Sequence, residues 1–214
     1  MITLVFSLIY VLIMLCLSPT GGERNKSDYA LMLLQCILGI AFMILPGLLE
    51  HKVRLVIPSK MFIMYALFLY GAIYLGEVRD FYYAVPHWDT ILHTLSGGML
   101  GAFSYSIIVF LNKTDRVPLS LTPAFVAVFT LCFSITLGVV WEIYEFASDA
   151  ILGLNMQKAI LRDGTPLVGK AALSDTMKDL IVDSIGALVI SVIGYVSLKY
   201  KKGWVEKLIL KIKK

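Results

Sequence analysis

Seven residues between positions 89 and 183 have the types and spacing that hold cations or move protons: Asp89, His93, Glu142, Glu145, Asp175, Asp179 and Asp183. Carboxylates gathered with an imidazole are ligands for a hard divalent cation or zinc, and a metal held there can activate water or clamp a phosphate. That makes Asp89, His93, Glu142, Asp175, Asp179 and Asp183 the candidate ligand set. Glu142 and Glu145 are also the candidate catalytic pair, because a buried glutamate can serve as general base. Asp89 and His93 are four positions apart, Glu142, Glu145 and Asp149 are spaced three and then four, and the last three aspartates are spaced four and four. At 3.6 residues per turn each set falls on one side of a helix.

The elements that must position these residues are membrane helices. Of 214 residues, 58% are hydrophobic and 16% charged, and the mean hydropathy is +0.82, outside the range of soluble domains. Six apolar stretches are long enough to cross a bilayer, at 1–17, 29–49, 58–76, 90–111, 121–152 and 180–198. The expected fold is an all-α, polytopic six-helix transmembrane bundle spanning 1–198, followed by a basic tail at 199–214. The first stretch lacks the basic start and the cleavage site of a secretory signal, so it reads as a retained helix. In the tail, Trp204, Leu208, Ile209 and Ile212 recur at helical spacing among lysines, the pattern of an amphipathic segment lying on the cytoplasmic membrane surface. Cys16, Cys36 and Cys132 all fall within spans and read as packing residues.

Consecutive spans run in opposite directions. The start of the fourth span (Asp89, His93), the end of the fifth (Glu142, Glu145, Asp149) and the start of the sixth (Asp175, Asp179, Asp183) therefore meet at one membrane face. Lysines and arginines divide twelve against seven in favour of the face that carries both termini. By the positive-inside rule both termini are cytoplasmic and the acidic stripes face outward, in a bacterial plasma membrane. A single acid at mid-membrane costs about 2.5–3.5 kcal/mol, so convergent acids need a cation, shared protons, or basic partners among Arg79, Lys158, Arg162, Lys170 and Lys178.

Each residue also has a plainer explanation. Ser174 or Asp175 can cap the sixth helix, and His93 can be an ordinary hydrogen-bonded histidine, although Asp89 one turn earlier can orient its ring. Trp141 and Tyr144 read as interfacial anchors. Gly97 and Gly101 read as a close helix-packing pair, and Asp163-Gly164-Thr165-Pro166 as a turn in the long outer loop, a candidate lid.

The segments HWDTILHTLSGGMLGA, GVVWEIYEFASD and LSDTMKDLIVDSIGAL resemble the YjdF-like group of uncharacterised polytopic bacterial membrane proteins and, more distantly, the VanZ-like proteins associated with glycopeptide resistance. The resemblance covers about residues 87 to 190. It implies functional roles for Asp89, His93, Glu142, Glu145, Asp175, Asp179 and Asp183, with Gly186 as a packing position.

Three functional classes fit these observations. One is a metal-dependent enzyme acting on a lipid-linked or envelope substrate such as a cell-wall precursor. Another is a non-catalytic envelope accessory protein of VanZ-like kind. The third, a proton-coupled transporter, would place its acids at the midplane between internal repeats, and these acids cluster toward one surface instead. No H-E-x-x-H or G-x-S-x-G signature is present. The net positive charge sits largely in the tail lysines and gives no footprint for nucleic acid. The one partner that composition implies directly is the bilayer; oligomeric state has no signature here, since lipid-facing and protein-facing apolar surfaces look alike.

Overall fold

In a computed structural model the described residues are 1–17, 26–112, 120–161 and 163–212. Arg24, Lys113, Arg116, Arg162 and the last two lysines, counted above for orientation or charge compensation, lie outside them. The helices are α1 (Ile2–Leu17), α2 (Lys26–Val53), α3 (Ser59–Leu69, continued by a π-helix over Tyr70–Val78), the short α4 (Phe81–Ala84), α5 (Trp88–Asn112), α6 (Pro123–Leu152) and α7 (Lys170–Lys199). Five of these segments are long and apolar enough to cross a membrane and α1 is a shorter apolar helix. Large apolar side chains such as Phe6, Leu67, Val128, Phe146 and Val192 remain exposed on them, as lipid-facing surface requires. The protein is an all-α, polytopic membrane protein.

α5, α6 and α7 pack as one three-helix unit, and α1, α2 and α3 stand beside it. Little hydrophobic force separates helix from lipid inside a bilayer, so small residues and buried hydroxyls must bind the helices. Ser104 donates to the Thr130 carbonyl at 3.1 Å, Ser134 to Gly97 at 3.0 Å and Ser191 to Ala127 at 2.7 Å, which ties α5 to α6 and α6 to α7. Gly97 and Gly186 bring α5 and α7 into backbone contact. A Cβ at Gly97 would strike the Asp183 carbonyl, and one at Gly186 would strike the Thr94 carbonyl and approach Gly98 N to 2.9 Å.

Local chemistry explains where the boundaries depart from expectation. α2 does not stop at Pro46-Gly47 but runs on to Val53. Proline removes the N–H that would bond the carbonyl four residues earlier, and the Tyr65 hydroxyl of α3 donates to that carbonyl, Phe42 O, at 2.8 Å. α7 starts at Lys170 with Gly169 as its N-cap residue, ten residues before the apolar run begins, so Ser174 and Asp175 are not caps. α6 begins where Thr122 accepts from Phe125 N with Pro123 behind it, and ends at Gly153 in the left-handed region. Among the cysteines, Cys36 is buried while Cys16 and Cys132 are exposed, and none is paired.

Among the described residues after Lys199 the tail does not form the expected amphipathic α-helix. Glu206–Leu208 makes a single 3-10 turn, and the next residues form a strand, β2 (Lys211–Ile212), antiparallel to β1 (Leu55–Val56) in the α2–α3 connection. Val205 is buried against Tyr105, Ile108, Val109 and Val126, and Leu210 N donates to Ser106 Oγ at 2.6 Å. The spacing of Trp204, Leu208 and Ile209 thus serves a packed turn: Leu208 and Ile209 face the helix ends, while Trp204 stays exposed.

Candidate functional site

The end of the bundle opposite the tail gathers the start of α2, the end of the π-helix, α4, the start of α5, the end of α6 and the start of α7. Ser27 donates to Gly153 O at 2.8 Å, and Lys158 in the α6–α7 loop lies 3.2 Å from Glu77 at the end of the π-helix.

His93 is at the centre. Its Nδ1 lies 3.2 Å from Asp183 Oδ2 across the α5–α7 crossing. An ionised carboxylate only accepts, so against it Nδ1 donates, and a neutral ring would then keep its lone pair on Nε2. Nε2 lies 3.8 Å from Asp89 Oδ1, too far for a hydrogen bond. Asp89, His93 and Asp179 each turn one ligand atom into a common space, with those atoms all within 4.8 Å of one another. Calcium–oxygen bonds of about 2.3–2.6 Å span such separations, and a small contraction meets the roughly 2.0–2.2 Å of zinc. The donor set of two carboxylates and one imidazole fits a divalent ion, and three protein donors leave positions open.

Asp183 serves this set from behind. The Ser96 hydroxyl stands 2.5 Å from Asp183 Oδ1 and 2.8 Å from the His93 carbonyl oxygen. Gly138 of α6 leaves the space into which Asp183 Oδ2 fits, 3.1 Å from where a Cβ would stand. A carboxylate on one ring nitrogen, with the other nitrogen facing a second acid, is the outer-shell arrangement that orients histidine ligands toward metals. Asp183 and Asp179 are each 4% exposed and His93 is 9% exposed.

Glu142 is 5% exposed, and among the described residues neither carboxylate oxygen has a hydrogen-bond partner. Its titratable neighbours are His93, Asp175 and Asp183, and the Thr176 hydroxyl faces it without hydrogen-bond geometry; that hydroxyl accepts from Gln157 Nε2 at 2.9 Å. A buried carboxylate left unmatched costs several kcal/mol, so Glu142 is a group awaiting a cation, a proton or water. Glu145 is held by Trp141, whose Nε1 donates to Oε1 at 2.9 Å, so Trp141 does more than anchor an interface. Asp175 is half-buried beside the cluster and outside the three-ligand group. Asp149 is a turn-builder, accepting from Met156 N at 2.6 Å and Gln157 N at 3.0 Å.

Of the basic residues expected to compensate the acids, Lys158 makes a direct contact. Burial works against its ammonium, but Glu77, with Tyr83 and Asp89 behind it, more than reverses this and raises its pKa, so it stays charged. It also lies 4.6 Å from the centre of the Tyr82 ring. Burial pushes the Tyr82 phenol well up, and Glu77, Asp89, Glu145 and Asp179 push it further, so Tyr82 keeps its proton as a donor near the acids. The loop carrying Lys158 is ordered by its own bonds: Asn155 Nδ2 donates to Ile160 O at 2.7 Å, and Thr165 N donates to Asp163 at 2.9 Å, which lowers the Asp163 pKa.

Sequence reasoning missed Ser96, Tyr82 and Glu77. Ser96 extends the Asp89–His93 stripe by three residues and is the one whose spacing signalled it; Tyr82 and Glu77 are recruited through α4 and the π-helix, which leave no such pattern.

Beside Asp89 and His93 opens a cavity of ≈ 560 Å³ between α2 and α3 on one side and α5 and α6 on the other. Glu77, Tyr82, Asp89, His93, Glu145 and Lys158 line its polar end.

Comparison with known proteins agrees on the membrane character and assigns no activity. An uncharacterised protein of Thermotoga maritima is 31% identical over 139 residues, covering 64% of this chain and 62% of the relative. The chain therefore spans less than two thirds of that relative's length. No solved structure matches the chain. The family described as "Predicted membrane protein (DUF2238)" matches residues 2–200, and the chain belongs to that family.

Proposed function

We propose that the protein is a divalent-metal-dependent protein of the bacterial plasma membrane, with both termini cytoplasmic, acting at its outer face on an envelope or lipid-linked molecule. Asp89, His93 and Asp179 would hold the ion, Asp183 would fix the His93 tautomer, and Glu142 would serve as the proton acceptor for water. The observation that carries this reading is His93 with its Nδ1 3.2 Å from Asp183 and its Nε2 3.8 Å from Asp89, in a group where Asp89, His93 and Asp179 each offer one ligand atom within 4.8 Å of the others. The metal would polarise a phosphoryl or carbonyl oxygen or lower the pKa of water, and Tyr82 would donate to the developing charge. The unpartnered Glu142 is the observation that favours a second reading, an accessory protein that holds a cationic group without turnover.

Elemental analysis of detergent-purified protein tests this directly, beside the single variants Asp89→Asn and Asp179→Asn. Stoichiometric metal in the parent, lost in both variants, together with a melting temperature that falls on chelation and returns on addition of the ion, is the expected result. Parent protein that carries no metal and does not respond to chelator or to added zinc, calcium or manganese would overturn it and bring the accessory reading forward.

A further inference from the structure

From the site the cavity runs along α2 from Gln35, past Phe42, Leu45 and Leu49 on one wall and Leu100 and Phe103 on the other, to Ile57 at the end of the bundle that carries the tail. Its volume of ≈ 560 Å³ lies within the range of about 300–1,000 Å³ for small-molecule sites. Water is a poor tenant for it. That space is many times what one water occupies, and each water in it would need two to four polar partners. The backbone acceptor that Pro46 frees on this wall, Phe42 O, is already closed by Tyr65. The polar groups gather at one end, around Asp89, His93, Glu145 and Lys158, and the aliphatic and aromatic wall extends toward the other.

We infer that this cavity seats one hydrocarbon chain of a membrane amphiphile, with a phosphate-bearing end at Asp89 and His93. The asymmetry of the lining matches an amphiphile, apolar along its length and charged at one tip. Lys158 is neutralised by Glu77, so a phosphate there would be met by the metal, and by Tyr82 as hydrogen-bond donor. The choice of head group rests on the metal reading, whereas the chain assignment rests on the cavity alone.

The probe is hexadecyl phosphate carrying a diazirine near its methyl end, photolysed with the purified full-length protein and mapped by peptide mass spectrometry. Adducts on the cavity wall of α2, α3 or α5, displaced by unlabelled hexadecyl phosphate, are expected. Labelling should fall several-fold in Leu100→Trp and in Leu45→Trp, which fill the cavity from opposite walls; variants that retain the parental size-exclusion profile are compared. Adducts confined to lipid-facing residues such as Phe6 or Val192, or unchanged by both variants, would overturn the chain assignment. Equal displacement by hexadecyl trimethylammonium would overturn the phosphate. Cavity adducts that persist in Asp179→Asn support the chain assignment, whatever the metal analysis gives.

Discussion

His93 has two ring nitrogens and two kinds of acidic neighbour, and the chemistry depends on which proton goes where. Replacing Asp183 with asparagine keeps an oxygen for Ser96 but can present an amide N–H₂ to Nδ1, which moves the imidazole proton to Nε2 and closes the lone pair that faces Asp89 and Asp179. Asp183→Asn is therefore expected to fold and to weaken metal binding about 10- to 100-fold, measured by competition with a chelating dye. Unchanged affinity would mean that Asp183 has no orienting role. The four-residue spacing of Asp89 with His93 and of Asp179 with Asp183 is visible in the chain, and so was their grouping. The division of labour among them is not, because it depends on the rotation of α7 about its axis relative to α5. Neither was the difference between Asp149, consumed by two backbone amides, and Glu142, left without a partner: both read as acids at the end of a span.

Among the helices, the α5–α7 crossing sets the reach of His93 to Asp183. Gly186→Ala would push a methyl group into backbone on the facing helix, where a flexible side chain cannot yield, at a cost of about 1–3 kcal/mol. Gly98→Ala one position along from Gly97 would find its nearest neighbour at 3.9 Å and should be tolerated. A melting temperature in detergent that falls for the first and holds for the second is the expected pair of results; equal effects would contradict the crossing. Element types and their approximate limits were readable from apolar runs. The early start of α7, the passage of α2 through Pro46 and the π-helix were not. Each depends on a partner distant in sequence, such as Tyr65 for Phe42 O, or Trp88, whose Nε1 donates to Gly71 O at 3.3 Å.

For the molecule as a whole, the two ends of the bundle are built differently, acids at one and the packed tail at the other. Truncation after Lys202 would strip Val205 and Leu210 from the end opposite the acids, at a cost on the order of 3 kcal/mol for side chains of that kind, while leaving the ligand set in place. Lower thermal stability with unchanged metal content per folded protein is expected; metal lost in parallel with the tail would show that the two ends are not independent. The tail's composition revealed that it was basic and amphipathic, but strand pairing with a loop at the other side of the chain leaves no periodic signal. That pairing also sets an order of assembly during biogenesis. Leu55 faces Ile212, so the ladder cannot close until every helix from α3 to α7 has been synthesised and inserted, and the α2–α3 connection must wait with one edge open on the membrane surface. Non-local closure of this kind comes late and leaves the Leu55–Val56 backbone without its strand partner until the end of the chain arrives.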